Sequence, residues 1–266
     1  MGAVAGLGLG IAAKVFHVDV DPRIDQVYHA LPTSNCGACG YPGCMGFAEA
    51  VILEGAPVDG CPPGGAETAE VIAKLMGAEV IAKEKMVAMV MCGGGEEEAP
   101  RKFDYQGILD CQAAYLLGGG DKSCSYGCLG YSTCNKACPF DAIITNDKGL
   151  SEIVRDKCTG CEICVKVCPV NVIKMVPYRS MVHVLCNSSD KGPQVRKACT
   201  VGCIACMLCQ KACPNEAIKV EDFLAAINYD LCTHERACIE VCPTNCIVDL
   251  EASPEAVEEV KAEVES

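Results

Sequence analysis

The stretch CTGCEICVKVCP, residues 158–169, sets four cysteines at C-x2-C-x2-C-x3-C and follows the last with proline. A cubane iron–sulfur cluster needs four thiolates arriving from different directions. One tight loop supplies three of them; the fourth, three residues on, faces the other way and serves the second cluster of a pair. CIACMLCQKACP at 203–214 meets the same rule. Two further runs keep the frame with one cysteine out of place. CSYGCLGYSTCNKACP at 124–139 has Tyr131 in the second slot, and CTHERACIEVCP at 232–243 has Glu235 there. All four end alike, in CPFDAI (138–143), CPVNVI (168–173), CPNEAI (213–218) and CPTNCI (242–247), a CP dipeptide leading into a short apolar strand start. A recurrence of this kind marks one supersecondary unit used several times.

The crossover rule assigns the ligands. In the first pair of runs Cys124, four residues upstream of Cys128, offers a thiolate in place of Tyr131. Cys124, Cys128, Cys134 and Cys168 then hold one cluster, and Cys138, Cys158, Cys161 and Cys164 hold its neighbour. In the second pair Cys203, Cys206, Cys209 and Cys242 hold one cluster, which leaves Cys213, Cys232 and Cys238 for the last. Position 228 is asparagine, so no upstream cysteine stands in for the one missing at Glu235. Three outcomes are open there: a three-iron cluster, a four-iron cluster with the Glu235 carboxylate on the fourth iron, or recruitment of Cys199 or Cys246. The repeat puts both spare thiols nearer the other cluster. The three remaining ligands and Pro243 favour an occupied, altered site over a degenerate one.

The N-terminal segment NCGACGYPGCMGFAEAVILEGAPVDGCPPGG (35–65) is of another type, with Cys36, Cys39 and Cys44 at C-x2-C-x4-C and Cys61 further on. It has no crossover partner and reads as a lone four-iron site, with zinc as the alternative for four thiolates. Gly37, Gly40 and Gly43 let the backbone wrap closely and are expected to aim N–H groups at the sulfurs. Cys92, Cys111 and Cys186 fall outside every run and read as buried free cysteines. From Ala66 to Lys85 apolar residues recur at helical spacing, among them Val71, Leu75, Val80 and Ile81.

Composition narrows the class. There are 24 cysteines in 266 residues, no tryptophan, and a net charge of −13. A disulfide scaffold suits short exported chains, but the apolar start here has no basic residue ahead of it and no cleavage signal. No basic face is present to meet phosphates, so nucleic acid is excluded as a partner. An acidic surface suits docking to basic patches on redox partners, and equally a solvated surface. There is no C-x-x-C-H for haem and no phosphate-binding G-x-x-x-x-G-K-[ST]; GLGLG (6–10) has no strand before it. With many clusters and no substrate site, the chain is an electron carrier. Residues 1–13 are all apolar or small, shorter than the roughly 20 that a bilayer span needs. They read as the end of a membrane helix, Gly6 and Gly10 forming a small-xxx-small pair and Lys14 and Arg23 lying on the cytoplasmic side.

Nearly end to end, the chain resembles the RnfB-like polyferredoxins, the B subunits of the Rnf ion-translocating electron-transport complex. The resemblance is carried by AAKVFHVDVDPRID, LPTSNCGACGYPGCMGFAEAV and CPPGG, then by YQGILDCQAAYLLGGGDKSCSYGCLGYSTCNKACPFDAI, HVLCNSSDKG and CIACMLCQKACP. It implies a polypeptide at the cytoplasmic face of the cell membrane that exchanges electrons with soluble ferredoxin. It further implies sister subunits that carry the NAD, flavin and sodium or proton sites. The enzyme in this reading is the whole translocating oxidoreductase complex.

The expected architecture is α+β. A membrane-anchor remnant (1–16) precedes a single [4Fe–4S] domain (17–85) and a linker with one short strand (86–123). Two tandem dicluster ferredoxin modules (124–185 and 186–250) and an acidic tail (251–266) follow. They carry four or five [4Fe–4S] clusters, one of them a candidate [3Fe–4S]. The alternatives are a soluble polyferredoxin, an electron-transfer subunit of a hydrogenase or dehydrogenase, and an iron–sulfur subunit of corrinoid one-carbon metabolism.

Overall fold

The computed structural model describes residues 6, 11, 14, 21–79 and 84–252. The chain divides into two compact units, 1–82 and 83–266. The expected membrane-anchor remnant, apart from Gly6, Ile11 and Lys14, lies outside the described residues, as do Val80, Ile81 and the tail beyond 252. Among the described residues no helix is long and apolar enough to cross a membrane.

The first unit is helical. Helix α1 (Pro22–Ala30) starts on Asp21, whose carboxylate accepts from the Arg23 amide, with proline in the first turn. Helix α2 (Gly43–Glu49) runs on into a π-helical turn (Ala50–Glu54) ended by Gly55 in the left-handed region. Helix α3 (Gly65–Met76) is ended the same way by Gly77. The core is Ile24, Val27 and Leu31 packed on Cys44, Phe47, Val51 and Ile72. Helix α3 is shorter than its apolar spacing suggests, and it buries Ala69, Ile72 and Ala73 while Val71 and Leu75 stay exposed. At 3.6 residues per turn the latter pair falls on the opposite face.

The second unit is the same α+β motif twice. In the first copy β1 (Met86–Val90) pairs antiparallel with β4 (Ile173–Pro177), Met86 opposite Pro177; β2 (Ile143–Thr145) and β3 (Ser151–Ile153) form a hairpin. In the second copy β5 (Val182–Val184) pairs with β8 (Ile247–Asp249), and β6 (Ile218–Glu221) with β7 (Leu224–Ile227). Each copy holds two one-turn helices that carry the cysteine runs. These are α5 (Thr133–Lys136) and α6 (Ile163–Val167), then α8 (Leu208–Ala212) and α9 (Ala237–Glu240). Helices α4 (Cys111–Tyr115) and α7 (Gly192–Ala198) sit in the loops after β1 and β5. The stretch read as a linker is therefore not separate: its strand closes the first copy against β4, and β5 at 182–184 lies ahead of the boundary expected at 186.

Repetition extends to the backbone. Ser132, Glu162, Met207 and Arg236, each just ahead of a cysteine-bearing helix, all have φ between 55° and 62°. Asp141, Asn171, Glu216 and Asn245, each three residues after the cysteine of a CP dipeptide, have φ between 48° and 52°. After each of these the chain turns two residues inward, Ala142–Ile143, Val172–Ile173, Ala217–Ile218 and Cys246–Ile247, all buried. The apolar ends of the four motifs are thus the cores of the two copies.

Val87, opposite Val176, is fully buried. Val87→Asp leaves an unpaired carboxylate there and is expected to cost on the order of 3–5 kcal/mol. It should lower the anaerobic thermal midpoint clearly, whereas Ile144→Asp on the exposed side of β2 leaves the midpoint within error. Equal midpoints for both variants would show that β1 is not part of this core.

Candidate metal centres

Four cysteines of the first unit face one another, Cys44 from the first turn of α2, Cys36 and Cys39 from the loop before it and Cys61 from the loop after it. The Cys61 thiol lies in the field of Cys39, Cys44 and Cys36, and burial, reinforced by these neighbours, pushes it up to about 11. Cys44 is set by Asn35, whose Oδ1 accepts from the Cys44 amide at 2.9 Å. Gly43 must be glycine: its φ is +87°, and a Cβ would stand 2.8 Å from that Oδ1. The expectation that Gly40 and Gly43 aim their amides at sulfur is not met. Those amides donate to the carbonyls of Gly37 and Tyr41, and the amide that reaches Cys61 is that of Gly64.

In the second unit the sulfurs line cavities of similar size. Cys138, Cys158, Cys161 and Cys164 ring one of about 330 Å³, the grouping the spacing implies. The Ala88 amide of β1 donates to Cys158 Sγ at 3.4 Å. Gly160 passes so close to β1 that a Cβ would come within 2.6 Å of the Met86 carbonyl. Burial and the nearness of Cys158, Cys161 and Cys134 raise the Cys164 thiol to about 12.

The adjoining cavity, about 350 Å³, is ringed by Cys111, Cys128, Cys134 and Cys168. Cys124, expected here, faces a different cavity, shared with Cys92, Cys186 and Cys199. The reason is local. The Cys111 amide donates to Thr133 Oγ1 at 2.7 Å, and that hydroxyl donates to Asp110 at 2.7 Å, which fixes the start of α4 against the start of α5 beside Cys134. Tyr131, in the vacant second slot, turns instead to the ion pair between the buried Asp121 and the solvent-facing Arg101. Its hydroxyl donates to Asp121 at 2.7 Å and accepts from Arg101 at 2.8 Å. Cys111 thus fills the gap from an insertion that carries no cysteine spacing to announce it. Cys92, Cys111 and Cys186, read as buried free cysteines, are only partly buried, and each lines a cavity with three other cysteines.

In the second copy, Cys203, Cys206, Cys209 and Cys242 ring a cavity of about 310 Å³, and Cys246 is a fifth thiol on the same wall. Cys246 Sγ lies 3.6 Å from Cys242 Sγ. Its hydrogen bond to Cys242 holds that thiol down to about 4, while its own is pushed far up by the bonds to Cys203 and Cys242. The last cavity, about 330 Å³, has Cys213, Cys232 and Cys238 in its wall together with Glu235. Neither spare thiol reaches it; Cys246 belongs to its neighbour and Cys199 to the Cys124 cavity.

Soft thiolate sets of this kind suit zinc or iron–sulfur clusters. Among the described residues no three Cys, His, Asp or Glu side chains converge on one point as a single metal ion requires. Sulfurs spread around the walls of a cavity, rather than gathered at one point, suit a polynuclear cluster.

Comparison with known proteins agrees. Residues 31–63 match a family described as an Fe-S cluster. Residues 125–175, 157–218 and 202–246 match families described as 4Fe-4S dicluster domains. The chain is similar to the B subunit of the Na(+)-translocating ferredoxin:NAD(+) oxidoreductase complex of Acetobacterium woodii, at 47% identity over 92% of this chain and 74% of that protein. It is 43% identical to the B subunit of the ion-translocating oxidoreductase complex of Methanosarcina acetivorans, over 93% of this chain and 94% of that one. The B subunit of the proton-translocating ferredoxin:NAD(+) oxidoreductase complex of Clostridium ljungdahlii is 46% identical over 93% and 88%. The protein carries several [4Fe–4S] clusters.

Two outcomes separate ligands from bystanders. Cys111→Ala is expected to remove about four irons per chain, whereas Cys246→Ala keeps the iron and shifts the potential of one cluster. Iron analysis with EPR-monitored redox titration reads both, and full iron in the Cys111 variant would exclude it as a ligand. Separately, Glu235→Cys is expected to raise iron content or convert a three-iron EPR signal into a four-iron one. Identical spectra for variant and wild type would mean that the last site is not altered by its missing cysteine.

Proposed function

The chain belongs to the family of B subunits of ion-translocating oxidoreductase complexes, and from that premise we propose how its residues serve the complex. It is the iron–sulfur electron-transfer subunit, standing between soluble ferredoxin and the membrane subunits. The complex it serves couples ferredoxin and NAD redox chemistry to movement of sodium or protons. Its place is the cytoplasmic face of the cell membrane, held there by the sister subunits and by the apolar N-terminal segment.

The observation that carries this reading is the crossover of the thiols. Helix α5 ends between Cys134 of one cavity and Cys138 of the next, and α6 returns Cys164 and Cys168 to the same two in reverse. Helices α8 and α9 repeat the exchange with Cys209 and Cys213, Cys238 and Cys242. When bound, [4Fe–4S] clusters supply one-electron carriers without proton chemistry. The protein holds each pair at one helix's separation and sets the electron richness of the sulfurs by amide donors such as Ala88 on Cys158. We assign the ligands as the Cys36, Cys39, Cys44, Cys61 set, the Cys111, Cys128, Cys134, Cys168 set and the Cys138, Cys158, Cys161, Cys164 set. In the second copy they are Cys203, Cys206, Cys209 and Cys242, then Cys213, Cys232 and Cys238 with Glu235 at the fourth position.

The test is direct reduction. Purified without oxygen, the chain is expected to be brown and to lose its visible absorbance when reduced ferredoxin is added, with no other subunit present. Membranes lacking this chain should lose nearly all ferredoxin-dependent NAD reduction and regain it when the chain is restored. Colourless protein, or NAD reduction by ferredoxin that persists without the chain, would overturn the reading.

A further inference from the structure

Cys92, Cys124, Cys186 and Cys199 stand outside every C-x2-C-x2-C-x3-C-P run, yet they line one cavity of about 410 Å³. The four are two matched pairs. Cys92 comes two residues after the end of β1, and Cys186 two residues after the end of β5. Cys124 and Cys199 each open a C-x-x-G-C segment, CSYGC at 124–128 and CTVGC at 199–203, that ends on the first cysteine of a ferredoxin run. Each copy of the fold therefore offers the same two thiols, and the copies meet so that the four face one another.

The walls are held together across the join. The Gly93 amide donates to the Leu185 carbonyl at 3.0 Å, the Thr200 amide to Glu98 at 2.9 Å, and Ser123 Oγ to the Ala198 carbonyl at 2.6 Å. Amides two residues on, those of Tyr126, Ser188 and Val201, donate to the sulfurs of Cys124, Cys186 and Cys199. Gly94 lies against Cys199, where a Cβ would come within 2.8 Å of the sulfur. The Lys122 ammonium is buried in the same wall, donating to the carbonyls of Gly94 and Cys128. A buried cation is costly unless negative charge lies nearby, and four thiolates around a cluster provide it.

We propose that these four cysteines hold a further [4Fe–4S] cluster, built from both copies, that joins the cluster pair of one copy to the pair of the other. The inference rests on the electron-transfer reading above. The cavity lies between the two pairs: Cys92 is within electrostatic reach of Cys128, and Cys186 accepts the amide of Cys203. One electron passes from the Cys111 site to this one and on to the Cys203 site, each centre being oxidised as the next is reduced. No proton or co-reactant is consumed.

The test uses the full chain, expressed and purified anaerobically. Cys92→Ala combined with Cys186→Ala removes one thiol from each copy and is expected to lower both iron and sulfide by about four per chain. The reduced protein should lose one cluster's spins by EPR, while the Cys111 and Cys203 sites stay loaded. Native mass spectrometry of the wild type, which does not depend on the variant folding, should count one cluster more than the sets assigned under Proposed function. Unchanged iron in a folded variant, a wild-type count without the extra cluster, one zinc per chain that disappears with the substitutions, or disulfides among these four cysteines would each overturn the proposal. Those results leave the other clusters and their reduction by ferredoxin intact. A wild type without iron would instead sink the function itself.

Discussion

Each thiol must leave the backbone in a set direction, toward a cavity it shares with thiols from elsewhere in the chain, and the rest of the fold answers to that demand. Left-handed backbone at Ser132, Glu162, Met207 and Arg236 costs roughly 1–3 kcal/mol per residue away from glycine and persists only where its surroundings over-determine it. Strands of three to five residues and helices of four or five could not stand alone. The aliphatic core that supports them comes largely from the two residues that close each motif, such as Ile173 and Ile247. In such a chain metal binding and folding are one equilibrium, because the groups that grip the metal also hold the turns.

Charge obeys the same demand. The chain carries a net charge of −13 before any thiol ionises. Gathering thiolates in its interior calls for compensation close at hand, and most of it comes from the backbone. Amides of Gly64, Ala88 and Ser188 donate to sulfurs of three different sites. The buried Lys122 adds a full positive charge where two copies bring their thiols together. Cys246 offers another contact, a thiol 3.6 Å from Cys242 Sγ on the wall of the same cavity, placed to hydrogen-bond to that sulfur as an amide would.

The regular runs were legible because a ferredoxin motif packs three ligands into one loop, so spacing alone encodes geometry. The Cys158 and Cys203 groupings and the vacancy at Glu235 could be read in that way. Cys111 could not, since it reaches its cavity through Thr133 and Asp110, a contact 22 residues away in sequence with no periodic mark. Cys124 misled for the opposite reason. Nearness in sequence to Cys128 suggested a shared site, but four residues with a glycine turn are enough to send the two sulfurs into different cavities. The strand at 86–90 is legible as a strand but its place in the fold is not, because its partner lies at 173–177, beyond the reach of any local pattern.

Duplication explains what a single copy cannot. One β-α-β-β-α-β unit, with its crossover helices, is complete for two cavities, and two residues beyond its first strand stands a thiol that neither of them uses. Alone, Cys92 and Cys124 make half a coordination sphere, and so do Cys186 and Cys199. The loops that separate each pair differ in length, 31 residues from 93 to 123 against 12 from 187 to 198, and share no sequence beyond their ends. Freely drifting loops would not be expected to keep cysteine at the same offset from a strand on one side and from a ferredoxin run on the other. A site that needs both halves constrains those four positions and leaves the intervening residues free. The longer loop is then free to carry Cys111 into the first copy, where Tyr131 has left a slot open. The shorter one has no such task, because Cys206 already fills that slot in the second.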